Sequence, residues 1–483
     1  MNESLVNAPP NWLPMTFRID GGPWFDVDTV ELLDYSQYLN LRRGVLTRRL
    51  RCRDEQGRTT TVIERRFVAM HLPHVGALQT TIVAHDWNGT VEIRSALDGA
   101  VRNTLVERYR DLASDHLDRV EAAEVTPDSV VLTVQTNQSR IPVAAAARTA
   151  VWTDGHRCDC SYRFFDADGS VGHHLTADVE AGCSITVEKT VTVFTGRDHA
   201  VSGPAEAASR LLTGLGRFEE ILDGHVLAWE HLWDRVGIDL AGHEEASRIV
   251  RFHLLHLLQT VSRNTADLDV GVPARGLHGE AYRGHIFWDE LFVFPVLNLR
   301  EPALTRSLLQ YRYRRLPEAR RAAAAAGYRG AMYPWQSGSD GREESQQLHL
   351  NPDSGRWLPD PSWRQYHIGI AIAYNVWHYY QVTGTWSSSA TSERRCWWRS
   401  RGSSPAWLRT TGSDPATSFA GPWDRTSSIP ATRTRRTQAS TTTPTPTSWP
   451  SGSSIVPSRH WPPSPPTTTA PNSSTACIWT PTR

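Results

Sequence analysis

The chain has 483 residues with 51 basic and 51 acidic side chains, so its formal net charge is zero and nothing recommends nucleic acid or an anionic membrane as a partner. That length allows two or three domains with a sizeable core. The start, Met1-Asn2-Glu3-Ser4, has no basic cluster and no apolar run, and no stretch of roughly 18 apolar residues follows it, so the chain reads as soluble, cytoplasmic and without a membrane segment.

Up to about residue 200 the pattern is short alternating runs: Met15–Ile19, Gly44–Arg53, Thr59–Arg66, Gln79–Ala84, Thr90–Ser95, Ser129–Thr136 and Ser184–Thr195. Period-two alternation broken by Gly, Asp and Asn predicts antiparallel sheets, and an N-terminal β-sandwich over residues 1–200 is the economical reading. Asn11-Trp12-Leu13-Pro14 leads straight into a strand, which predicts that opening strands are missing. Arg48-Arg49 and Arg65-Arg66 are expected to be solvated strand faces.

From Gly203 the period becomes helical, with Pro204 at a first-turn position and Phe218–Val236 continuing it, so residues 201–242 are predicted to be a helical linker. Glu244–Arg263 and Glu301–Arg315 are amphipathic at i, i+3 and i+4, and Leu316–Ala326 closes on a run of alanines before Gly327. Ile368–Gln381 is apolar nearly all round and is predicted to be buried among other helices. Repeated helices joined by polar, aromatic loops suggest an α/α barrel whose loops carry a site.

Residues 386–483 contain one leucine, no lysine and three acids (Glu393, Asp414 and Asp424) among long Ser/Thr/Pro strings. No period survives, which predicts a disordered low-complexity tail. Eight tryptophans in that stretch argue for another origin, because disordered segments are poor in aromatics.

The chemistry concentrates between His278 and Pro295, where two histidines, an arginine, three acids and a tryptophan sit among apolar residues. Burying such charges costs several kcal/mol unless something polar is bound. Trp288 beside Asp289 suits a sugar ring: an apolar face for its C–H surface and a carboxylate to accept from adjacent hydroxyls. The alternative is a helix start whose charges face water. His278, Glu280 and His285 are metal-ligating types without supporting spacing, and the six cysteines include no CxxC pair, so no metal is expected.

Gly279-Glu-Ala-Tyr-Arg-Gly-His-Ile-Phe-Trp-Asp-Glu290, followed by Tyr328-Arg-Gly-Ala-Met-Tyr-Pro-Trp-Gln-Ser-Gly-Ser-Asp-Gly-Arg-Glu-Glu344, resembles glycoside hydrolase family 65. The resemblance runs from about Asn11 to Gly384. It implies a β-sandwich, a helical linker and an (α/α)6 catalytic barrel, of which only the first half, residues 243–384, is encoded in frame. It implies an inverting α-glucobiose phosphorylase, turning a disaccharide and phosphate into β-glucose 1-phosphate and a sugar. A hydrolase of trehalose or kojibiose and a non-catalytic sugar-binding protein are the alternatives. Inorganic phosphate is the implied co-substrate, with no cofactor, and the intact family member is a possible homodimer.

The family's general acid is a glutamate in a Gly-Pro-Asp-Glu-Phe motif, which this chain lacks in frame. Written as TGG GAC CGG ACG AGT TCC ATC CC, Trp423–Pro430 becomes Met-Gly-Pro-Asp-Glu-Phe-His-Pro when shifted by one base. The glutamate codon then spans Thr426 and Ser427. Thr441–Gly452 shifts in the same direction to Asp-Asn-Asn-Ala-Tyr-Thr-Asn-Val-Met-Ala-Val-Trp, a family-like helix. Removing one G from GGC GAC CTG GAG TTC gives Gly384–Ser388, which places a one-base deletion at codon 385 and makes 385–483 an out-of-frame tail. The chain as written is therefore expected to be inactive.

By resemblance, Trp288 and Asp289 are the glucose-binding pair, and His285 binds a hydroxyl or holds Asp289 from the same helical face. Trp335 is placed to stack on sugar and Glu344 to accept from hydroxyls, against the alternative of a core tryptophan and two solvated acids, Glu343 and Glu344. Gly338 and Gly341 would bend that loop. Arg283 reads as a structural ion-pair partner.

Overall fold

The computed structural model describes residues 10–277 and 279–384, with the backbone of Ala476–Ile478. Thirteen strands open the chain: β1 (Met15–Ile19), β2 (Glu31–Asn40), β3 (Val45–Arg53), β4 (Thr59–Val68), β5 (Val75–Ala84), β6 (Gly89–Asp98), β7 (Leu117–Thr126), β8 (Ser129–Thr136), β9 (Pro142–Thr153), β10 (His156–Arg157), β11 (Ser161–Ala167), β12 (Ser170–Val179) and β13 (Ser184–Thr195). The helices are α1 (Pro204–Thr213), α2 (Phe218–Val236), α3 (Glu244–Thr260), α4 (Glu290–Arg300), α5 (Pro302–Arg314), α6 (Leu316–Ala325) and α7 (Ile368–Thr383), with a hairpin of β14 (Leu348–Asn351) and β15 (Arg356–Pro359) before α7.

A small antiparallel sheet, β1-β6-β12-β11, faces a large one ordered β2-β3-β4-β5-β13-β9-β8-β7. Alternation decides which side chains meet between them. Phe17 and Ile19 of β1, Val91 and Ile93 of β6 and Leu175 of β12 pack on Leu50, Val62, Ile82 and Val187 of the large sheet. Lys189, the only lysine in the chain, points into this interior. Its ammonium donates to the carbonyls of Pro14 and Ala96 at 3.1 and 2.6 Å, pinning the segment before β1 to the small sheet.

The large sheet is covered on its other face by the linker helices. Leu212 and Ala208 of α1 bury against Val131 and Ala146, while Phe218, Ile221 and Leu222 of α2 bury against Val45, Phe67 and Ala77. Arg65 belongs to this contact, contrary to its expected solvation: its guanidinium lies 4.9 Å over the Phe218 ring and pairs with Glu219. Gly44 (φ 63°) lets α2 come close, since a Cβ there would fall 2.3 Å from Trp229 Nε1.

One expectation about the helical region needs correction. α7 is not buried all round: Ile368, Ala371, Ile372 and Asn375 face inward, whereas Ile370, Tyr374 and Trp377 are about half exposed. Phe292 and Leu299 of α4 are likewise exposed. The predicted structureless tail lies outside the described residues except for β16 (Ala476–Ile478), a three-residue strand antiparallel to β2. An open strand edge pairs through backbone groups and asks little of side-chain period. Among the described residues no helix is long and apolar enough to cross a membrane.

Candidate functional site

Two stretches of chain meet here, and the first is not helical. Through the turn Ala281–Gly284, Tyr282 (φ 63°), Arg283 (φ 55°) and Gly284 (φ 70°) are left-handed. That backbone costs roughly 1–2 kcal/mol for each non-glycine residue and persists where the surroundings impose it. The sandwich imposes it: the Glu280 carboxylate accepts the backbone N–H groups of Thr104 and Leu105 at 3.1 and 2.7 Å, and Tyr109 Oη accepts that of Tyr282 at 3.4 Å.

Ile286 and Ser337 then exchange backbone hydrogen bonds, both 3.0 Å, which joins the first stretch to the second. This pairing draws the chain into extended geometry, so the expectation of a helix carrying His285 and Trp288 on one face fails (His285 φ −68°, ψ 154°). His285 is 3% exposed and its Nδ1 lies 3.1 Å from Gln336 Oε1. The helix begins only at Glu290, with Asp289 as the N-cap residue. Asp289 is half-buried; burial raises its carboxyl above the usual range, against its own backbone N–H and the Arg275 charge.

The second stretch is organised by Glu343. Its carboxylate accepts the backbone N–H groups of Trp335 (2.7 Å), Gln336 (3.1 Å) and Ser345 (3.1 Å), so it shapes the loop although it is exposed to solvent. Glu344 is not solvated at all: it is 3% exposed and lies 3.4 Å from Arg342 Nη2. Gly341 (φ 85°) supplies the bend where a Cβ would sit 2.8 Å from Arg315 Cβ; Gly338 has no left-handed φ. Arg283 departs from the ion-pair expectation, because its partners are neutral: Gln346 Oε1 at 3.1 Å and the Tyr109 ring at 4.9 Å.

Aromatic edges tie the stretches together. Phe287 meets Trp335 edge-on at 5.3 Å, and His367, at the start of α7, meets Trp288 at 4.9 Å and Trp335 at 5.3 Å. The two tryptophans singled out from the sequence thus share one imidazole neighbour, which sequence reasoning had overlooked. Burial lowers the His367 pKa, favouring a neutral ring that can donate or accept.

Beneath this wall lies a second unforeseen pair. Arg312 and Glu290 are both nearly inaccessible, with side chains 2% and 1% exposed and Nη2 3.0 Å from Oε2. Arg312 Nε also donates to Glu290 at 3.0 Å, and its Nη2 donates to the Phe287 carbonyl at 2.6 Å. The pair fixes the backbone on both sides of Trp288 and Asp289. The only advance signal was an acid following Asp289 and an arginine on the otherwise amphipathic α5.

His278 lies outside the described residues, and among those described no cluster of three or more His, Cys, Asp or Glu side chains is arranged to hold a metal. The arrangement offers an aromatic wall, one half-buried carboxylate with a raised pKa, and a second buried carboxylate, Glu344. That is chemistry for a neutral ligand with hydroxyl groups and apolar faces.

Residues 1–232 match the N-terminal domain model of glycosyl hydrolase family 65, and residues 251–392 match that family's central catalytic domain. An uncharacterized glycosyl hydrolase of Mycobacterium tuberculosis is 60% identical over 383 residues, covering 79% of this chain and 29% of its own. A kojibiose phosphorylase of Caldanaerobacter subterraneus is 31% identical over 390 residues, covering 78% of this chain and 49% of its own. A solved human-microbiome protein assigned as a kojibiose phosphorylase superposes with a TM-score of 0.64 at 19% identity over 77% of this chain and 46% of its own, a likeness of fold. The chain thus spans at most about half the length of these relatives.

Proposed function

Because the chain belongs to glycosyl hydrolase family 65, we propose that it carries the sugar-recognising side of an α-glucobiose phosphorylase site. Trp288 and Asp289 bind the glucosyl ring, with His285, Trp335 and Glu344 completing the wall; the ligand is a disaccharide and inorganic phosphate the co-substrate. The supporting observation is the meeting of Trp288, Trp335 and His367 beside a half-buried Asp289. Residues 1–200 are the sandwich domain, 201–242 the linker and 243–384 the first half of an (α/α)6 barrel.

In an inverting phosphorolysis one protonated carboxyl group gives its proton to the leaving glycosidic oxygen while phosphate attacks the anomeric carbon from the opposite face. Phosphate needs no activating base, whereas hydrolysis needs a second carboxylate to deprotonate water. The proton donor is the residue this chain lacks in frame: its codon spans Thr426 and Ser427. The chain as written binds the glucosyl ring and does not turn it over.

Calorimetric titration of D-glucose into the chain tests the recognition half of this reading. Saturable binding is expected, weakened about tenfold or more by Asp289→Asn, since a hydrogen bond to a charged acceptor contributes about 1.5–3 kcal/mol. No saturable binding, or an unchanged affinity in the variant, would overturn it.

A further inference from the structure

We propose that the hollow bounded by the β7–β8 turn, the helix-side face of β9 and β13, and the α1–α2 turn is a binding site for a small organic monocarboxylate, separate from the glucose wall and independent of the reading proposed for it. The hollow has a volume of about 410 Å³. Pockets that hold small organic molecules run from roughly 300 to 1,000 Å³, so it admits a ring or a short chain together with its carboxylate.

Strand alternation builds the floor. Arg148, Ala150 and Trp152 are alternate residues of β9 and share one face, with Thr190 of β13 opposite Arg148 and Glu188 opposite Ala150. α1 and α2 cover this face on either side, and the turn between them bridges the space that the short Ala150 side chain does not fill.

Three guanidinium groups line the hollow, and two carboxylates answer them. Arg217 Nη2 pairs with Glu188 at 2.9 Å, and Arg157 Nη2 pairs with Asp128 at 2.6 Å. Arg148 is spent on carbonyls instead: Nη1 donates to that of Leu212 at 3.3 Å, and Nη2 to those of Leu215 and Gly216 at 2.8 and 3.0 Å. Glu220 stands at the rim, exposed to solvent, where water screens its charge. One positive charge is left for a ligand to match.

Two donors mark where the ligand meets it. The Arg217 guanidinium lies 3.5 Å over the Trp152 ring, and both Arg217 Nε and Trp152 Nε1 are buried without a hydrogen-bond partner. A buried N–H without an acceptor is costly, and the stacking sets these two close together. A carboxylate carries a single charge and two acceptor oxygens, one for each N–H. A phosphate monoester brings about two charges and three terminal oxygens, more than these groups match. Val125, Leu212 and Leu215 offer apolar contact for the carbon body.

Sodium benzoate, sodium D-gluconate, benzamide and inorganic phosphate are titrated by calorimetry into the full chain and into Trp152→Phe, Ala150→Leu and Asp289→Asn. Benzoate or gluconate is expected to bind saturably, with benzamide and phosphate weaker by about tenfold or more. Trp152→Phe keeps a ring under Arg217 and removes the N–H, so it should weaken the carboxylate about tenfold, as for a hydrogen bond to a charged group. Ala150→Leu should fill the hollow and abolish binding, and Asp289→Asn should change it less than twofold. Thermal midpoints without ligand show which variants are folded; if Ala150→Leu is not, Trp152→Phe decides. No saturable binding of either carboxylate, benzamide as tight as benzoate, phosphate tighter than both, or an unchanged affinity in Trp152→Phe overturns the proposal. A loss in Asp289→Asn also overturns it, because the carboxylate would then sit at the glucose wall.

Discussion

Replacing Arg312 by methionine isolates the support under the aromatic wall. Arg312 and Glu290 are 2% and 1% exposed at the side chain, and the guanidinium serves both Glu290 and the Phe287 carbonyl. Methionine fills much of the volume but leaves Glu290 with the Val272 N–H at 3.3 Å as its remaining neighbour here, and leaves the Phe287 carbonyl without its donor. Breaking a buried pair by removing one partner costs about 3–5 kcal/mol. Burial already pushes the Glu290 carboxyl upward, so protonation offsets part of that loss, and about 3 kcal/mol is the expected figure. Glu290→Gln in the same background removes the stranded charge and should restore at least half of it. Urea denaturation followed by tryptophan fluorescence, as a double-mutant cycle, measures both. A loss below about 1 kcal/mol, or a double variant no more stable than Arg312→Met, would refute the claim that this pair anchors residues 287–290.

Lys189 should make stability rise with pH. Burial lowers its pKa from 10.5 to about 7, so between about pH 7 and 10.5 the unfolded chain binds more protons than the folded one and each pH unit stabilises by at most about 1.4 kcal/mol. The thermal midpoint of the sandwich should therefore climb from pH 7 to 9, and Lys189→Met should flatten that dependence; equal slopes in both proteins contradict the assignment. As the chain's only lysine, 1% exposed, it should resist an amine-reactive reagent until the sandwich unfolds. Exposed Phe292, Leu299, Ile370, Tyr374 and Trp377 should make the native chain bind the dye ANS strongly, and Ile370→Ser/Trp377→Ser should reduce the signal without lowering stability.

Strands were legible wherever alternation was strong: Met15–Ile19, Ser129–Thr136 and Ser184–Thr195 form with the expected limits. β9 was not, because Ala144–Ala147 has low strand propensity. Those alanines are almost fully buried between the small sheet and α1, where only small side chains fit. β2 was missed for the opposite reason, an exposed run with no alternation to read. At the site, the chemistry of Trp288 and Asp289 could be read from residue type, but the geometry could not. His285 looked helical by spacing, and only the distant Ser337 explains why it is extended. His367 gave no local signal and Arg312 only its place on the amphipathic α5, since what distinguishes them is contact with residues 22–79 positions away.

The central claim is that the chain holds the sugar wall of a family 65 phosphorylase whose proton donor is spelled out of frame across Thr426 and Ser427. Inserting one G at codon 385 and assaying the product with kojibiose and related α-glucobioses tests it most directly. The account predicts no turnover by the chain as written and, after restoration, release of glucose 1-phosphate that requires phosphate. Glucose release without phosphate would make the restored protein a hydrolase, and no turnover of any of these sugars would contradict the account.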